Sequence, residues 1–258
     1  MLSFNSPTWR LGNQMFQYAA LLGVANKIKT SAVFNIESTY LDKCFKLGTG
    51  TNGMGSPDGV FQEPSFEFCP AFFEIDPNIK GDLQGYFQTE KYFKHIEDVI
   101  RKEFTFKDYI RKEAKSYFDD LSTKKPTVSI HVRRGDYVEK QAYHTNQQIS
   151  YYEKALLHFP DHVPVVFSDD ISWCKDNLNG LSETVLFSEN DPVDGTDGVY
   201  IDLCRMSMCD SHIIVNSSYS WWAAWLSQRK TVAPSQWFGP QAGNLNWKDI
   251  YCKDWIII

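Results

Sequence analysis

Several features of major protein classes are missing from this sequence of 258 residues. It has no block of basic residues and its net charge is −6, which argues against a broad nucleic-acid-binding surface, because such a surface must neutralise many phosphates. No apolar run reaches the roughly 18 residues of a membrane span, and no basic segment followed by an apolar core opens the chain. We therefore expect a soluble, cytoplasmic protein with at most peripheral contact to a membrane.

Motifs that mark several kinds of enzyme are missing as well. There is no GxxxxGK[ST] phosphate loop, no GxSxG elbow and no HExxH helix, so the matching nucleotide hydrolases, serine hydrolases and zinc proteases have no support. The six cysteines form no CxxC pair, and the nearest approach to a metal cluster, Cys204 with Cys209 and His212, fits no zinc spacing. We expect buried, reduced thiols and no metal site.

The chain does contain enough apolar and aromatic residues for a sizeable core. Apolar residues make up 43% of it and aromatic residues 15%, which is the composition of a folded globular protein. Near the start, Gly12 and Asn13 precede a helical pattern over 14–29, and Asn13 is the expected N-cap. The Gly-, Thr- and Ser-rich stretch 47–59 predicts a mobile loop.

The second half of the chain alternates strand and helix patterns. Lys124-Lys125-Pro126 interrupts the sequence before it and is the expected boundary between two lobes, 1–125 and 126–258. Apolar, β-branched runs predict strands at 127–132, 163–168, 184–187, 212–216 and 231–234. Helical patterns lie at 149–159, 171–178, 198–209 and 219–229. This alternation predicts an α/β fold with a parallel sheet that helices cover on both faces.

Polar clusters follow four of these predicted strands. They are Arg133-Arg134-Gly135-Asp136, Ser168-Asp169-Asp170, Asn216-Ser217-Ser218 and Ser235-Gln236-Trp237. In open parallel sheets, ligands bind outside the carboxyl ends of the strands. The four clusters therefore predict one ligand crevice.

Arg133 and Arg134 are the most informative of these side chains. An arginine keeps its charge and presents a planar fork that matches phosphate, and burying two side by side is costly without an anion. We therefore expect a phosphate-bearing ligand here. An ion pair with Asp136 or Asp169 is the structural alternative. His131, on the strand itself, fits a core histidine as well as a ligand contact.

The other clusters each leave two interpretations. Asn216-Ser217-Ser218-Tyr219-Ser220 leads into a predicted helix, where free N–H groups and hydroxyls form an anion site or simply cap the helix. Asp169-Asp170 fits carboxylates that orient a ribose or a purine, or a cap of the next helix, better than a metal site. The Gly12-Asn13 turn lacks the full glycine fingerprint of a dinucleotide site.

Several segments, in family order along the chain, resemble the α-1,2-fucosyltransferases of glycosyltransferase family 11. They are 10–19 (RLGNQMFQYA), 83–88 (LQGYFQ), 91–93 (KYF), 131–137 (HVRRGDY), 167–170 (FSDD) with Trp173, and 216–226 (NSSYSWWAAWL). Together they span nearly the whole chain, which makes the resemblance specific. It departs at Trp9-Arg10, where the family usually has two glycines. Pro7 also makes the preceding segment a poor strand.

The resemblance implies a GT-B-like α/β enzyme whose two Rossmann-like lobes carry parallel sheets facing a cleft. Lobe 126–258 would bind the donor substrate GDP-fucose, and lobe 1–125 would lie on the acceptor side. Fucose would pass to the 2-hydroxyl of a terminal β-galactoside of a glycan, with inversion and without a metal or other cofactor. Arg133 and Arg134 would hold the β-phosphate. Further contacts to the donor or its sugar would come from Gly12, Asn13, His131, Asp169, Asp170, Asn216, Ser217, Ser218 and Ser220.

The chemistry of such a transfer needs two kinds of group. Arg133 would absorb the charge of the departing GDP. The acceptor hydroxyl needs a base or a hydrogen-bond acceptor, for which Asp136, Glu139 and His144 are the candidates. Two other functions stay open: a transferase with a different GDP-sugar or linkage, and a catalytically silent protein that binds a nucleotide sugar or a glycan.

Overall fold

The chain divides into two compact units. The computed structural model describes residues 1–5, 7, 10–36, 39–48, 56–121, 123–139, 142–189, 197–243 and 245–258. Unit 1 consists of Met1–Lys107 and Leu245–Cys252, and unit 2 consists of Asp108–Asn244 and Lys253–Ile258. Most of the expected mobile loop and the departure at Trp9 lie outside the described residues.

Unit 1 is built on a four-stranded parallel sheet with the strand order β2-β1-β4-β3. Its strands are β1 (Leu2–Phe4), β2 (Ala32–Phe34), β3 (Gly59–Gln62) and β4 (Gly81–Gln84). Its helices are α1 (Leu11–Lys27), α2 (Tyr40–Cys44) and α3 (Glu97–Glu103), with 3-10 turns at Pro70–Glu74, Glu90–Tyr92, Lys94–Ile96 and Lys248–Ile250. The first strand is short and ends before Pro7, which has no N–H for a sheet ladder.

Helix α1 is the central helix of unit 1. Met15, Tyr18 and most other residues of the helix are buried, so burial extends around most of its surface. The helix begins at Leu11, with the extended residue Arg10 as its N-cap. The carbonyl of Arg10 accepts the N–H of Asn13 at 3.0 Å. The prediction of Asn13 as the N-cap is therefore wrong, because Asn13 already belongs to the first helical turn.

Unit 2 contains a six-stranded sheet in which all neighbouring strands are parallel, in the order β10-β9-β8-β5-β6-β7. Its strands are β5 (Thr127–Val132), β6 (Val163–Ser168), β7 (Leu186–Phe187), β8 (Ser211–Ile213), β9 (Lys230–Ala233) and β10 (Ile256–Ile257). Its helices are α4 (Asp108–Asp119), α5 (Gly135–Glu139), α6 (Ile149–Leu156), α7 (Ile171–Leu178), α8 (Asp197–Met208) and α9 (Ser218–Ser227), with 3-10 turns at Asn179–Leu181 and Pro240–Ala242. The predicted parallel α/β architecture is confirmed, and the short elements α5 and β10 were not predicted.

The break between the units lies after Lys107 rather than at the expected lobe boundary at 125. Helix α4 comes before that expected boundary but packs within unit 2. Its Ile110 and Ala114 are buried, and the ring of its Tyr117 lies 4.4 Å from the guanidinium of Arg205 on α8. Tertiary packing of an apolar helix face therefore decides which unit the helix joins.

Helices cover both faces of the unit 2 sheet, as continuously apolar strands require. On one face, Ile130 of β5 belongs to a core cluster with Tyr152 of α6. On the other face, His212 of β8 lies between Ser129 of β5 and Ser227 of α9. Strands β5 and β6 are buried at every residue.

The buried His212 predicts that acid destabilises the fold. Its Nδ1 lies 2.8 Å from the hydroxyl of Ser129, and burial lowers the pKa of His212 to about 3, with a smaller lowering by Arg229. The folded protein keeps the ring neutral, whereas the unfolded chain takes up a proton near its ordinary pKa of 6.5. Below that pH the unfolded state binds more protons, so His212 should lower the free energy of unfolding by about 1.4 kcal/mol per pH unit as the pH falls.

Urea unfolding between about pH 5 and pH 8 measures this slope. His212→Gln should remove the contribution of one proton below pH 6.5. An unchanged slope in His212→Gln would show that the acid sensitivity has another source.

Candidate active site

The order of the strands locates the candidate site within unit 2. The chain runs from β5 to β6 and β7 on one side, and then crosses to β8 on the other side of β5. The topological switch point therefore lies between the carboxyl ends of β5 and β8, where ligands bind in open parallel sheets. Arg133 follows β5, and Asn216, Ser217 and Ser218 follow β8.

Arg133 is held by two carboxylates at this point. Its Nε and Nη2 lie 3.0 and 2.6 Å from Oδ1 of Asp136, and its Nη1 lies 3.0 Å from Oδ2 of Asp169. Burial alone would lower the pKa of Arg133, but Asp169 and Asp136 raise it above its ordinary value. Within the described residues these contacts engage at most three of the five N–H groups of the guanidinium, which leaves two for a ligand.

Arg134 points to a different element. Its Nε lies 3.1 Å from Oδ2 of Asp170, and its guanidinium stacks 3.8 Å from the ring centre of Trp173 on α7. The structural alternative, an ion pair, is therefore observed for both arginines. The two differ in surroundings, since Arg134 is packed against α7 while Arg133 stands at the switch point.

Asp169 connects the two arginines. Its Oδ1 accepts the backbone N–H of Arg134 at 2.9 Å, while its Oδ2 pairs with Arg133. A Cβ at position 135 would lie 2.7 Å from that Oδ2, so Gly135 permits this close approach. Asp170, by contrast, caps α7 by accepting the N–H of Trp173 at 3.2 Å. Of the two interpretations of this acidic pair, Asp170 fits the helix cap. Asp169 instead orders the turn 133–135 that follows β5, which we call the arginine turn.

The end of β8 combines a buried amide with the start of a helix. Asn216 is 3% exposed, and its Oδ1 accepts a hydrogen bond from Gln147 at 3.4 Å. Ser217 is the N-cap of α9, but its side chain makes no capping hydrogen bond. The hydroxyl of the buried Ser220 points back to the carbonyl of Ser217 at 3.4 Å. Ser218 is the first residue of the helix, whose N-terminus therefore lies at the switch point.

Two buried polar atoms near this point have no hydrogen-bond partner within the described part of the chain. They are Nδ1 of His131 and Nδ2 of Asn216. Burial lowers the pKa of His131 to about 4, against an opposing effect of Asp169, so its ring is neutral at pH 7. Buried polar atoms are nearly always paired with protein or water, so both atoms suit contacts with a bound molecule. The ring of His131 also packs 5.6 Å from that of Tyr219.

The three candidate bases have different surroundings. Asp136 pairs with Arg133, and Glu139 is exposed at the end of α5. His144 stacks on the ring of Tyr137 with centroids 4.3 Å apart and an interplanar angle of 6°. The structure thus brings Asp136 and His144 to the arginine turn by way of α5, and leaves Glu139 on the surface.

The role of Tyr137 was not predicted from the sequence. Its hydroxyl donates to the carbonyl of Asn216 at 2.9 Å, and its ring lies 5.7 Å from the guanidinium of Arg133. It thereby ties the end of β5 to the end of β8. No local signal in the sequence indicated this role, because α5 was not predicted and Tyr137 was known only as the last residue of the segment 131–137. The sequence indicated Trp173 only as part of the family resemblance, and not that its ring would stack on the guanidinium of Arg134.

Gly12 and Asn13 lie in unit 1, in the first turn of α1. Oδ1 of Asn13 accepts a hydrogen bond from Nε2 of Gln88 at 2.8 Å. Gln88 follows β4, so this pair stands at the carboxyl end of the unit 1 sheet.

Two features are absent from the part of the chain that the structure describes. No group of three or more His, Cys, Asp or Glu side chains there could hold a metal ion. Nor does any helix there have the length and apolar character needed to cross a membrane.

Comparison with known proteins supports one family. The model of glycosyl transferase family 11 matches residues 66–258. An alpha-1,2-colitosyltransferase of Escherichia coli is 31% identical over 96% of each chain. Galactoside alpha-(1,2)-fucosyltransferase 1 of Rattus norvegicus is 29% identical over 88% of this chain and 64% of its own length.

The solved structure of the fucosyltransferase NodZ from Bradyrhizobium matches with a TM-score of 0.59 at 14% identity, over 86% of this chain and 91% of NodZ. NodZ, described as an alpha-1,6-fucosyltransferase, has also been crystallised and soaked with GDP-fucose. At this identity the likeness establishes the fold, which is GT-B-like and agrees with two units that each carry a parallel sheet. The family match and the sequence identity over nearly the whole chain show more: this protein belongs to glycosyltransferase family 11 and is a glycosyltransferase.

Proposed function

We propose that this protein transfers L-fucose from GDP-fucose to the 2-hydroxyl of a terminal β-galactoside of a glycan, with inversion at the anomeric carbon and without a metal ion. The observation that carries the proposal is the position of Arg133 at the switch point. Two carboxylates fix its guanidinium, and two of its N–H groups remain for a ligand. The rat relative is named a galactoside alpha-(1,2)-fucosyltransferase, and the bacterial one also forms an alpha-1,2 bond. These names support the linkage.

Charge compensation is the main demand of this reaction. Departure of GDP builds negative charge on the β-phosphate, and preorganised N–H groups stabilise such charge most effectively. Arg133 supplies a fixed guanidinium, and the N-terminus of α9, which begins at Ser218, supplies the positive end of the helix dipole. In our proposal these groups bind the diphosphate, and unit 2 is the donor-binding lobe.

The nearby carboxylates give this arrangement its geometry. Asp136 and Asp169 hold the guanidinium plane of Arg133, which lowers the conformational entropy lost when phosphate binds. In our proposal Asp136 is therefore a positioning residue. His131 and Asn216 contribute their unpartnered atoms to the nucleoside or to the sugar. In our proposal unit 1, with Asn13 and Gln88 at the carboxyl end of its sheet, is the acceptor side.

A second donor is favoured by one observation. The bacterial relative that matches 96% of this chain is named a colitosyltransferase, so colitose is the alternative sugar. The phosphate and nucleoside contacts proposed above would serve either donor equally. Transfer assays with both sugars decide between them.

The proposed function is tested by binding first and by turnover second. We expect GDP at 100 times its dissociation constant to stabilise the fold by about 2.7 kcal/mol, a rise in Tm of roughly 5–10 °C, while ADP and UDP give less. Incubation with GDP-fucose and lactose should then give an α-1,2-fucosylated product, whose α-linkage from a β-linked donor demonstrates inversion. No stabilisation by GDP would refute the proposal, and GDP binding without transfer or hydrolysis would favour the catalytically silent alternative.

A further inference from the structure

The segment after β4 in unit 1 adopts an unusual backbone. Gly85 has φ of +151° and the bulky residue Phe87 has φ of +52°, in a region that side-chain-bearing residues rarely occupy. Phe87 is completely buried and packs 5.0 and 5.2 Å from the rings of Phe72 and Tyr92. Backbone strain of this kind persists only where the surrounding structure enforces it, and it is concentrated at functional sites. We call residues 85–88 the β4 loop.

Glu63 enforces the conformation of the β4 loop. Its Oε2 accepts the N–H groups of Tyr86 at 2.7 Å and Phe87 at 3.0 Å, and its Oε1 lies 3.1 Å from the latter. A Cβ on Gly85 would lie 2.4 Å from Cβ of Glu63, so the loop is wrapped closely around this side chain. Burial raises the pKa of Glu63 to about 7, against the lowering effect of the two N–H groups. Glu63 therefore accepts these backbone N–H groups at a place where burial disfavours its charged form.

The β4 loop stands where unit 1 would bind a ligand. The chain runs from β1 to β2 on one side and returns through β3 and β4 on the other, so the switch point of this sheet lies between β1 and β4. Helix α1 begins after β1, and Gln88 of the loop donates to Asn13 in the first turn of that helix. The carbonyl of Gly85 accepts a further bond from Gln17 at 3.0 Å. The loop thus connects both sides of the switch point.

The chemistry presented by the loop suits an uncharged sugar. Tyr86 is 39% exposed, although its neighbour Phe87 is buried. An amphipathic aromatic ring offers an apolar face together with a polar end, and the amides of Gln88 and Asn13 offer both donors and acceptors. We propose that Glu63 is a positioning residue for the glycan acceptor, holding the β4 loop so that Tyr86 and the Gln88–Asn13 pair form a hexose subsite. This inference rests on the proposed fucosyl transfer.

The test separates acceptor binding from binding of the nucleotide. With lactose as the acceptor, Glu63→Ala should raise the KM for lactose at least tenfold, and Glu63→Gln, whose amide oxygen still accepts N–H groups, should raise it two- to fivefold. Tyr86→Ala should raise it at least fivefold. The dissociation constant for GDP and the kcat at saturating lactose should stay within threefold of wild type. Glu74→Gln, an exposed change in the same unit, is the control and should leave both constants unchanged.

Hydrogen exchange supplies a readout that does not depend on turnover. Amide protons of Tyr86 and Phe87 should exchange at least tenfold faster in Glu63→Ala, and to an intermediate degree in Glu63→Gln, while exchange in unit 2 stays unchanged. If wild type transfers fucose to lactose but neither Glu63 variant alters the KM for lactose, the inference fails and the proposed function stands. A parallel loss of GDP affinity and acceptor affinity would show a merely structural role. A wild-type protein that transfers no fucose to galactosides overturns both.

Discussion

Replacement of Arg133 by alanine should reduce kcat/KM for GDP-fucose by a factor on the order of 10³, while the protein stays folded. Two effects add. The variant loses the fixed charge proposed to meet the β-phosphate, and it leaves Asp136 and Asp169 unpaired where the diphosphate would arrive. These two carboxylates keep contact with water, so the free energy of unfolding should fall by only about 1 kcal/mol. Transfer assays, GDP titration and circular dichroism measure the three quantities.

Two further variants identify the cause of that loss. Arg133→Lys keeps the charge but not the planar fork, and should recover little activity. Asp136→Asn keeps an oxygen that accepts from Arg133 but cannot act as a base, so transfer should fall less than about tenfold. A loss in Asp136→Asn equal to that in Arg133→Ala would instead identify Asp136 as the catalytic base. Full activity in Arg133→Ala would refute the role assigned to this arginine.

The largest expected effect on stability comes from Gly23→Ala in helix α1. A Cβ at this position would lie 2.1 Å from the carbonyl oxygen of Tyr92 and 2.8 Å from Cα of Phe93. Both contacts are with backbone, which cannot rotate away as a side chain could, so α1 must separate from a segment whose Tyr92 and Phe93 are completely buried. We expect a loss of more than about 3 kcal/mol and a decrease in Tm of at least roughly 6–12 °C.

Gly59→Ala in β3 is the matched control, because a Cβ there has no atom within 4 Å. It changes the same residue type in the same unit and should shift the Tm by no more than about 2–4 °C. Thermal unfolding followed by circular dichroism compares the two variants. Equal Tm values for Gly23→Ala and wild type would show that α1 and the segment after β4 do not approach so closely in solution.

How far the fold could be predicted depended on how local its signals are. Strands β5 and β6 match their predicted bounds, because their continuous apolar, β-branched runs are buried along the whole length. Strand β10 was missed, since two isoleucines beside the chain terminus give no periodicity and become a strand only by pairing with β9. The unit to which α4 belongs was not predicted either, because the helix joins unit 2 by packing against α8.

For the candidate site, too, the sequence predicted some features and not others. The strand-end pattern indicated that Arg133, Asp169 and Asn216 share one edge of a sheet, and the strand order agrees. It left ion pairs of the arginines as an alternative and could not decide that both arginines form them, because those contacts depend on the unpredicted helix α5 and on the start of α7. The hydrogen bond from Tyr137 to the carbonyl of Asn216 spans 79 positions of the sequence, which no local pattern can encode.

By itself, the sequence determined a parallel α/β chain with polar clusters at its strand ends, a family resemblance, and two arginines suited to an anion. Hydrophobic periodicity and turn residues carry such information because they act over a few neighbouring positions. Only the tertiary structure decided that Asp136 and Asp169 fix Arg133, and that Glu63 holds the strained β4 loop. Strand order decides which of these residues meet. The absence of a side chain at Gly85 and Gly135 then lets Glu63 and Asp169 come close to the backbone at these two positions.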